Sequence, residues 1–463
     1  MAENFARRLE ATARRTPDKP ALVWDGGALT FGEIDERADA FAETLTSRGV
    51  EPGDSVALSI GNHWAFAVAL LAGWKVGATV APLDALLKDE ERAGIVDDLR
   101  PAALVHEADV AGAARTGRRR TIAGATGAPA PALILYTSGS TGRPKGAVLS
   151  HGALELAIES WAGPVMALTA SDVVLATLPL AHSFGLNGAL LAPLLVGATV
   201  ALLDRFAPER VLDAIRHHRV TVFPGVATMF RRLLDAPELA SADVSSVRIA
   251  VSGAAPCPWE LAERWRDRTG IRIVRGYGMT ELFRPISYQA ASPKESPDSI
   301  GWPVPGVEIR IVEDELWIKS PSAMDAYINA PEETRDVLVD GWFRTGDLAT
   351  VGADGLVTIV GRKRERILRG GYSVFPAEVE AALLTHPAVA EAAVLGAPHP
   401  ELGEDVAAFV VLRAGATAAP DELIAHCRER LATFKYPRRL TVVDALPRSA
   451  TGKILKARLA PLL

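Results

Sequence analysis

The sequence contains little cysteine and no excess of positive charge. Its 463 residues include two cysteines, Cys257 and Cys427, and 50 Lys+Arg stand against 56 Asp+Glu, for a formal net charge of −6. Two cysteines so far apart provide neither a disulfide framework nor a paired-cysteine metal site, and they favour a cytoplasmic protein. The chain also lacks the surplus of cations that would neutralise the phosphates of a nucleic acid. We therefore expect no nucleic-acid partner.

Aromatic residues and long apolar runs are also scarce. Phe, Trp and Tyr make up 6% of the chain, whereas 49% of residues are hydrophobic and 23% charged. This composition is typical of a globular protein and excludes intrinsic disorder. Residues 186–203 include no charged side chain, but Asn187, Pro193 and Gly197 interrupt them. We interpret the segment as buried helix and strand and predict no membrane span.

One fifteen-residue pattern occurs twice. Leu70–Asp84 (LLAGWKVGATVAPLD) and Leu190–Asp204 (LLAPLLVGATVALLD) are identical at eleven positions, with an offset of 120 residues. Each copy predicts the end of an apolar helix, a glycine that stops it and a buried strand. Apolar strands such as Leu133–Tyr136 that alternate with helices favour parallel sheets covered by helices. The repeat therefore predicts two similar α/β subdomains.

The pattern changes in the last third of the chain. Short strands are predicted after Gly301, and a compact α+β pattern follows from about residue 364. The final hundred residues are numerous enough for a separate small domain. Its predicted elements are helices at Pro376–Leu384 and Asp421–Leu431 and strands at Ala390–Leu395 and Val406–Leu412.

The segment Tyr136–His151 (YTSGSTGRPKGAVLSH) combines hydroxyls, glycines and one lysine between two apolar runs. Glycines let backbone N–H groups approach an anion closely, and a lysine adds a mobile positive charge. The segment is suited to a polyphosphate but is not a Walker loop, because no GK[ST] follows its glycines. The candidate phosphate ligands are Thr137, Ser138, Gly139, Ser140, Thr141, Gly142 and Lys145.

This segment and four later motifs together resemble the adenylate-forming superfamily, which includes acyl- and aryl-CoA synthetases, firefly luciferases and peptide-synthetase adenylation domains. The resemblance extends over nearly the whole chain, with the motifs in the family's order. The later motifs are Arg275–Glu281 (RGYGMTE), Gly341–Asp347 (GWFRTGD), Gly361–Glu380 (GRKRERILRGGYSVFPAEVE) and Pro447–Lys453 (PRSATGK).

The resemblance implies an enzyme that uses ATP, Mg²⁺ and coenzyme A. A carboxylate is joined to the α-phosphate of ATP with release of pyrophosphate, and the acyl group then passes to a thiol. The first step brings an anion against a polyanion, so the site must supply positive charge and fixed geometry. The implied partners are a small carboxylic acid, ATP and CoA, and an acyl carrier protein remains open as the acceptor.

The family's roles carry over to the matching positions of this chain. Tyr277 would stack near the adenine, Asp347 would accept hydrogen bonds from the ribose with help from Arg362, and Glu281 would bind Mg²⁺. The implied catalytic residues are Lys453, Glu281, Thr280, His182 and Lys145. The implied nucleotide ligands beyond the phosphate segment are Gly276, Tyr277, Gly278, Met279, Thr280, Asp347, Arg362 and Lys453.

The thiol step in the family requires a mobile C-terminal domain. The resemblance places the hinge at Arg364 and therefore implies an N-terminal core of residues 1–363 and a mobile domain of residues 364–463. Gly370 and Gly371 would line the path of the CoA pantetheine, where a side chain would block approach. His182, within Pro179–Gly185 (PLAHSFG), resembles the family's gate between the thiol path and the adenylate. The expected fold is thus α/β: layered α/β subdomains with a small β-rich part, then the small α+β domain.

The implied acyl pocket contains mostly small or apolar residues and no acidic one. An amino-acid substrate would bury its α-ammonium without a partner, at a cost of several kcal/mol. An apolar fatty, alicyclic or aryl monocarboxylate is therefore predicted. Arg284 is the one nearby cation that would suit a dicarboxylate, although we interpret it as a surface or backbone-bonding arginine. The pocket residues are His182, Ser183, Phe184, Gly253, Ala254, Ala255, Gly276, Leu282 and Phe283.

Several alternatives remain open at this stage. An adenylation enzyme that loads a carrier protein would share every ATP motif, and a malonate-type ligase would differ only in its acyl pocket, where malonate-using relatives commonly carry an arginine at the position of Gly276. A non-catalytic nucleotide-binding regulator would be expected to lack Lys453 or Glu281, and both are present. Leu368 replaces a lysine of the luciferases, which disfavours light emission. The acid, its chain length, the acceptor and the oligomeric state are left undetermined.

Overall fold

The protein is described here by a computed structural model that covers residues 4–112, 130–137, 144–292, 295–448 and 454–463. These residues form two compact units. The first extends to Glu308 and includes Ile318–Phe343, and the second comprises Ile309–Trp317 and Arg344–Leu463. The α/β class predicted above is confirmed. The boundary predicted at residues 363 and 364 concerns a hinge and remains a prediction.

The helices follow the apolar patterns of the sequence. The predicted helix Pro376–Leu384 has these same bounds, and Asp421–Leu431 differs by one residue at each end. The α-helices are α1 (Ala6–Arg15), α2 (Phe31–Ser47), α3 (Trp64–Val76), α4 (Asp89–Leu99), α5 (Glu107–Ala111), α6 (His151–Ser160), α7 (Ala192–Val196), α8 (Pro208–His218), α9 (Ala227–Asp235), α10 (Trp259–Thr269), α11 (Pro331–Val337), α12 (Pro376–Leu384) and α13 (Pro420–Arg430). Two π-helical segments occupy Trp161–Val165 and Gly185–Leu191, and 3₁₀ turns occupy Pro237–Ala240, Lys363–Glu365, Lys456–Arg458 and Ala460–Leu462.

The strands alternate with these helices through the first unit and dominate the chain after it. They are β1 (Pro20–Trp24), β2 (Gly27–Thr30), β3 (Ser55–Ser59), β4 (Thr79–Pro82), β5 (Ala103–His106), β6 (Pro131–Thr137), β7 (Lys145–Ser150), β8 (Val173–Ala176), β9 (Thr199–Leu202), β10 (Val222–Gly225), β11 (Ile249–Ser252), β12 (Ile273–Val274), β13 (Gly276–Met279), β14 (Phe283–Ser287), β15 (Trp302–Pro303), β16 (Glu308–Val312), β17 (Glu315–Lys319), β18 (Ala326–Tyr327), β19 (Leu338–Val339), β20 (Trp342–Val351), β21 (Val357–Arg362), β22 (Ile367–Arg369), β23 (Tyr372–Val374), β24 (Val389–His399), β25 (Gly403–Leu412) and β26 (Arg439–Val442).

Two largely parallel sheets form the body of the first unit. In one the strand order is β12-β11-β10-β8-β9-β1-β2, and only β2 is antiparallel to its neighbour. In the other the order is β18-β7-β6-β4-β3-β5, with β7 antiparallel to both of its neighbours, β6 and β18. Buried apolar side chains on these strands, such as Val56, Val80, Leu175 and Val200, form the core under the helices. The expected parallel sheets with helical cover are confirmed.

The repeated pattern has the same structure in both copies. α3 ends at Gly77 and continues into β4, and α7 ends at Gly197 and continues into β9. Both glycines have left-handed backbone torsions, with φ of 88° and 80°, a conformation that glycine adopts without steric cost. The copies belong to different sheets, so the prediction of two similar subdomains is confirmed.

One pair of helices in the first unit encloses an ion triad. The ammonium of Lys75 on α3 is fully buried and lies 2.6 Å from a carboxylate oxygen of Asp35 and 2.5 Å from one of Asp39, both on α2. A buried ammonium requires such partners, because its removal from water is otherwise strongly unfavourable.

Within the described ranges, no helix is long and apolar enough to cross a membrane.

The second unit includes the segment predicted as a small α+β domain, together with Ile309–Trp317 and the residues from Arg344 onward. β24 and β25 form a long antiparallel pair, and β26 is parallel to β25. β22 pairs with β25 and, in turn, with β23. Helices α12 and α13 cover one face through Val379, Leu383 and Leu423. Phe409 on the opposite face packs with Leu446 and Leu459 of the C-terminal segment.

Candidate active site

The predicted phosphate-binding segment begins on one strand and ends on its neighbour. β6 and β7 are antiparallel, and Thr137 at the end of β6 faces Lys145 at the start of β7. The ammonium of Lys145 lies 5.5 Å from the centre of the Tyr327 ring and 4.0 Å from a carboxylate oxygen of Glu333. The first and last candidate phosphate ligands of the segment therefore lie opposite each other on neighbouring strands. The other candidate phosphate ligands lie outside the described residues: Ser138, Gly139, Ser140, Thr141 and Gly142.

A second hairpin carries the predicted adenine, phosphate and magnesium ligands. β13 and β14 are antiparallel, with Gly276 opposite Ser287 and Tyr277 opposite Ile286. The turn between them contains Thr280 and Glu281. A short hairpin therefore holds five consecutive predicted ligands, from Gly276 to Thr280, next to Glu281.

Tyr327 connects the two hairpins. Its hydroxyl donates a 2.7 Å hydrogen bond to Glu281 Oε1, while its ring lies under the Lys145 ammonium. The main-chain N–H of Met324 also donates to the carbonyl of Glu281 at 2.8 Å. The structure therefore brings together the predicted magnesium ligand and the predicted phosphate-binding lysine. Sequence reasoning missed Tyr327, because no local pattern marks a tyrosine on so short a strand.

The acidic groups here fit a magnesium ion held largely by its substrate. Within the part of the chain that the structure describes, no group of three or more His, Cys, Asp or Glu side chains is placed to hold a metal. Proteins commonly bind Mg²⁺ through one or two carboxylates together with substrate phosphates and water. Glu281 alone is compatible with that arrangement, and its role remains a prediction.

Replacing Tyr327 by phenylalanine is expected to lower kcat/KM for MgATP. A hydrogen bond to a charged group contributes about 1.5–3 kcal/mol, so loss of the bond to Glu281 should cost roughly tenfold or more and raise the Mg²⁺ concentration needed for half-maximal rate. Steady-state rates over a Mg²⁺ titration measure both effects. Tyr136→Phe is the matched control, because the Tyr136 hydroxyl donates a 2.9 Å bond to Asp98, which has no predicted role. Equal losses in the two variants would contradict the role of Tyr327.

The predicted gate histidine, His182, lies three residues before the π-helical segment Gly185–Leu191. His182 Nδ1 accepts a 3.2 Å hydrogen bond from the main-chain N–H of Phe184. Burial lowers the pKa of His182 to about 4, because desolvation disfavours the charged ring. The ring is therefore neutral at physiological pH and its proton is on Nε2. A neutral donor is compatible with the predicted gate between thiol and adenylate.

The structure brings three of the predicted acyl-pocket residues together. Phe184 stacks on Trp161, with ring centres 5.3 Å apart, and its ring lies against Gly253 just after β11. Gly253 and Gly276 both lie against the guanidinium of Arg284. Trp161 was missed by sequence analysis because it is remote from every motif. Of the remaining predicted residues, Ser183, Leu282 and Phe283 are buried and Ala254 and Ala255 follow Gly253 in the chain.

Arg284 bonds to the backbone, as one of the two sequence interpretations predicted. It donates to the carbonyls of Ser252 at 2.9 Å and Val274 at 3.3 Å and to the hydroxyl of Ser287 at 2.9 Å. Burial lowers its pKa to about 9, so the guanidinium stays charged at neutral pH. No carboxylate of the described chain lies within ion-pair distance of it. The surface interpretation is wrong, because the residue is only 5% exposed.

The second unit positions the predicted ribose ligand. Asp347 on β20 faces Arg362 on β21 in register, and Arg362 Nε lies 2.8 Å from Asp347 Oδ1. Asp347 is almost fully buried, and its amide N–H donates to the hydroxyl of Thr345 at 3.0 Å. Asp347 and Arg362 are therefore in direct contact, and their predicted joint role in binding the ribose remains a prediction.

The predicted hinge and thiol-path residues come directly after β21 in the chain. Arg364 lies in the 3₁₀ turn Lys363–Glu365. Gly370 and Gly371 form the turn between β22 and β23, with φ of 55° and 86°. Among the described residues, no atom lies within 4 Å of a Cβ added at Gly371, whereas one added at Gly370 would be 3.1 Å from Leu402. The turn is therefore open at Gly371, as a pantetheine path would require.

Lys453 lies outside the described residues, but both flanks of its segment are anchored. The N–H of Leu455 donates to the carbonyl of Pro447 at 2.8 Å, and Arg448 pairs with Glu391 at 2.7 Å. Lys456 Nζ lies 2.8 Å from carboxylate oxygens of both Glu365 and Glu380. These contacts hold the described residues on either side of Lys453 against the second unit.

Comparisons with known proteins cover almost the whole chain. The sequence model for the AMP-binding enzyme family matches residues 9–328, and that for the AMP-binding enzyme C-terminal domain matches residues 378–453. A feruloyl-CoA synthase from Amycolatopsis sp is 37% identical over 477 residues, which cover 96% of each chain. The crystal structure of ATP-bound MatB from Rhodopseudomonas palustris aligns with a TM-score of 0.91 and 29% identity over 99% of this chain and 98% of that one. A benzoate CoA ligase from Burkholderia xenovorans aligns with a TM-score of 0.89 and 32% identity over 99% of both chains.

Proposed function

The chain belongs to the AMP-binding enzyme family, and from this premise we propose that it activates an apolar aryl, alicyclic or fatty monocarboxylic acid. It is an AMP-forming acyl- or aryl-CoA ligase that uses ATP, Mg²⁺ and CoA. The carboxylate attacks the α-phosphate of ATP and releases pyrophosphate. The thiol of CoA then displaces AMP from the acyl-adenylate.

The residues of the chain fit the first half-reaction as follows. Lys145 and Thr137 would hold phosphate oxygens, Glu281 would bind Mg²⁺, and Asp347 with Arg362 would hold the ribose. Lys453 would place a positive charge between the substrate carboxylate and the α-phosphate, where charge accumulates in the transition state. These assignments are proposals, supported by the contact of Tyr327 with both Glu281 and Lys145.

The acyl-pocket neighbourhood supports an apolar substrate. Phe184 stacks on Trp161 and lies against Gly253, and Gly253 and Gly276 lie against the Arg284 guanidinium. That guanidinium is already bonded to main-chain oxygens. An aryl or alicyclic acid would pack against these flat and small surfaces. The feruloyl-CoA synthase and the benzoate CoA ligase act on aromatic acids by name, which supports the aryl class for this chain.

A cytoplasmic location remains a prediction.

A panel of acids tests this proposal. CoA-dependent AMP formation should be fastest with an apolar member among acetate to dodecanoate, benzoate, cyclohexanecarboxylate, malonate and phenylalanine. Each methylene that fits should contribute up to about 0.8 kcal/mol, or roughly fourfold in kcat/KM, until the pocket ends. Malonate or phenylalanine as the best substrate would contradict the apolar pocket. Transfer to a phosphopantetheinylated carrier protein in preference to CoA would favour the carrier-loading alternative.

A further inference from the structure

Arg284 spans the carboxyl ends of two parallel strands. Its side chain comes from β14, and its terminal nitrogens bind the last carbonyls of β11 and β12, those of Ser252 and Val274. The guanidinium carbon lies 5.0 Å from the centre of the Trp161 ring. The carboxyl ends of strands in a parallel sheet are where ligands of α/β proteins bind. Arg284 is therefore fixed at the edge where the acyl group is expected.

The guanidinium fills the space beside two glycines of the acyl pocket. A Cβ added at Gly276 would be 2.5 Å from Arg284 Nη2 and 2.7 Å from its Cζ. A Cβ added at Gly253 would be 2.9 Å from the Phe184 ring and 3.2 Å from Arg284 Nη1. The distances at Gly276 are shorter than any normal Cβ contact, so the position of Arg284 requires a glycine there. At Gly253 the main obstacle to a side chain is the Phe184 ring, and Arg284 adds a tight contact.

The hydrogen bonds of Arg284 favour a structural role in the pocket over the binding of a substrate carboxylate. Nε, Nη1 and Nη2 each already donate to an oxygen of the protein. The residue is 5% exposed, so a substrate carboxylate has almost no accessible surface to contact. The π face of Trp161 and the three oxygens together compensate the buried charge.

We propose that Arg284 ends the acyl pocket and so limits the length of the acid that the enzyme accepts. The inference rests on the proposed ligase function and specifies its substrate range. With the guanidinium bound to β11 and β12, the surface formed by Gly253, Gly276 and Phe184 cannot recede to admit further methylenes. Shortening the side chain would open space behind the glycines.

Arg284→Met tests the proposal by removing the guanidinium while retaining an apolar stem. With straight-chain acids from acetate to dodecanoate, the preferred length should increase, and the ratio of kcat/KM for a longer acid to that for the wild-type optimum should rise at least tenfold, since each accommodated methylene is worth roughly fourfold. This ratio does not depend on the amount of active enzyme. Arg275→Met is the matched control: Arg275 is equally buried and also binds main-chain carbonyls, those of Ser296 and Pro297. Its length profile should match the wild type.

Gly276→Ala provides a second test that does not require Arg284→Met to be stable. Alone, it should lower kcat/KM at least tenfold for the best acid, because its methyl group meets the guanidinium. In the Arg284→Met background the same change should cost clearly less. Equal losses in both backgrounds, or an unchanged length profile in an active Arg284→Met enzyme, would overturn the role of Arg284. If the wild type accepts succinate or glutarate and Arg284→Met does not, Arg284 binds an anion and the proposal is overturned. If the wild type forms no AMP in a CoA-dependent reaction with any acid, the ligase function itself is contradicted.

Discussion

Replacing Lys453 by alanine is expected to reduce acid-dependent pyrophosphate exchange by about 10²–10³-fold. The proposed role of this lysine is to neutralise charge where the carboxylate meets the α-phosphate, and removing one such transition-state contact typically costs about 3–4 kcal/mol. Isotope exchange between labelled pyrophosphate and ATP, in the presence of the best acid from the panel, measures this half-reaction alone.

The second half-reaction of the same variant provides the internal control. Chemically prepared acyl-adenylate should still react with CoA, because this step breaks the acyl–oxygen bond and brings no carboxylate against the α-phosphate, where Lys453 is proposed to act. Lys435→Ala removes another lysine of the second unit, one bound to Glu378 at 2.6 Å, and should change exchange by no more than about fivefold, the upper range for an exposed ion pair. Normal adenylation by Lys453→Ala would show that its assignment is wrong.

Replacing Gly371 by tryptophan is expected to impair thioester formation and to spare adenylation, the opposite of Lys453→Ala. The indole would occupy the open surface at the turn of β22 and β23, along the proposed pantetheine path, while the ATP ligands lie elsewhere in the chain. Thioester formation should fall by about 10²-fold or more, since small misplacements of reacting groups have effects of that size. Pyrophosphate exchange should remain close to the wild-type rate. Product analysis should then find acyl-adenylate accumulating instead of acyl-CoA.

Backbone strain at Gly371 calls for a matched control. Gly371 has φ of 86°, and any other residue is unfavourable there. Gly415 also lies in the second unit, has φ of 75° and has no atom within 4 Å of an added Cβ. Gly415→Trp therefore introduces the same side chain with the same kind of strain, and both half-reactions should survive it. Equal loss of both activities in Gly371→Trp would indicate misfolding instead of a blocked path.

Elements with strong local signals were predictable from the sequence. Helix Pro376–Leu384 begins with a proline at its first turn, where the missing N–H has no cost. The two glycine-terminated helix–strand units were also predicted, because helix termination depends on a few adjacent residues. The pairing of Asp347 with Arg362 was predicted through the family motifs, which carry positional information that composition and periodicity lack.

Contacts between distant residues were not predictable in this way. Tyr327 meets Glu281 across 46 residues, and Trp161 meets Arg284 across an even longer stretch of chain. Neither tyrosine nor tryptophan carries a local pattern that names its partner. The role of Arg284 was likewise undetermined, because its choice between solvent, substrate and main-chain oxygens depends on where β11 and β12 end.

The buried Lys75–Asp35–Asp39 triad has a consequence for correct assembly of the two α/β subdomains. The two helix–strand units share most of their sequence. During folding, either unit could therefore pack where the other belongs. At the position of Lys75, the second copy has Leu195. If the first copy docked in the second copy's place, it would bury an ammonium away from both aspartates, at a cost of several kcal/mol. The triad thus makes the two docking places chemically distinct and opposes an intramolecular swap between them.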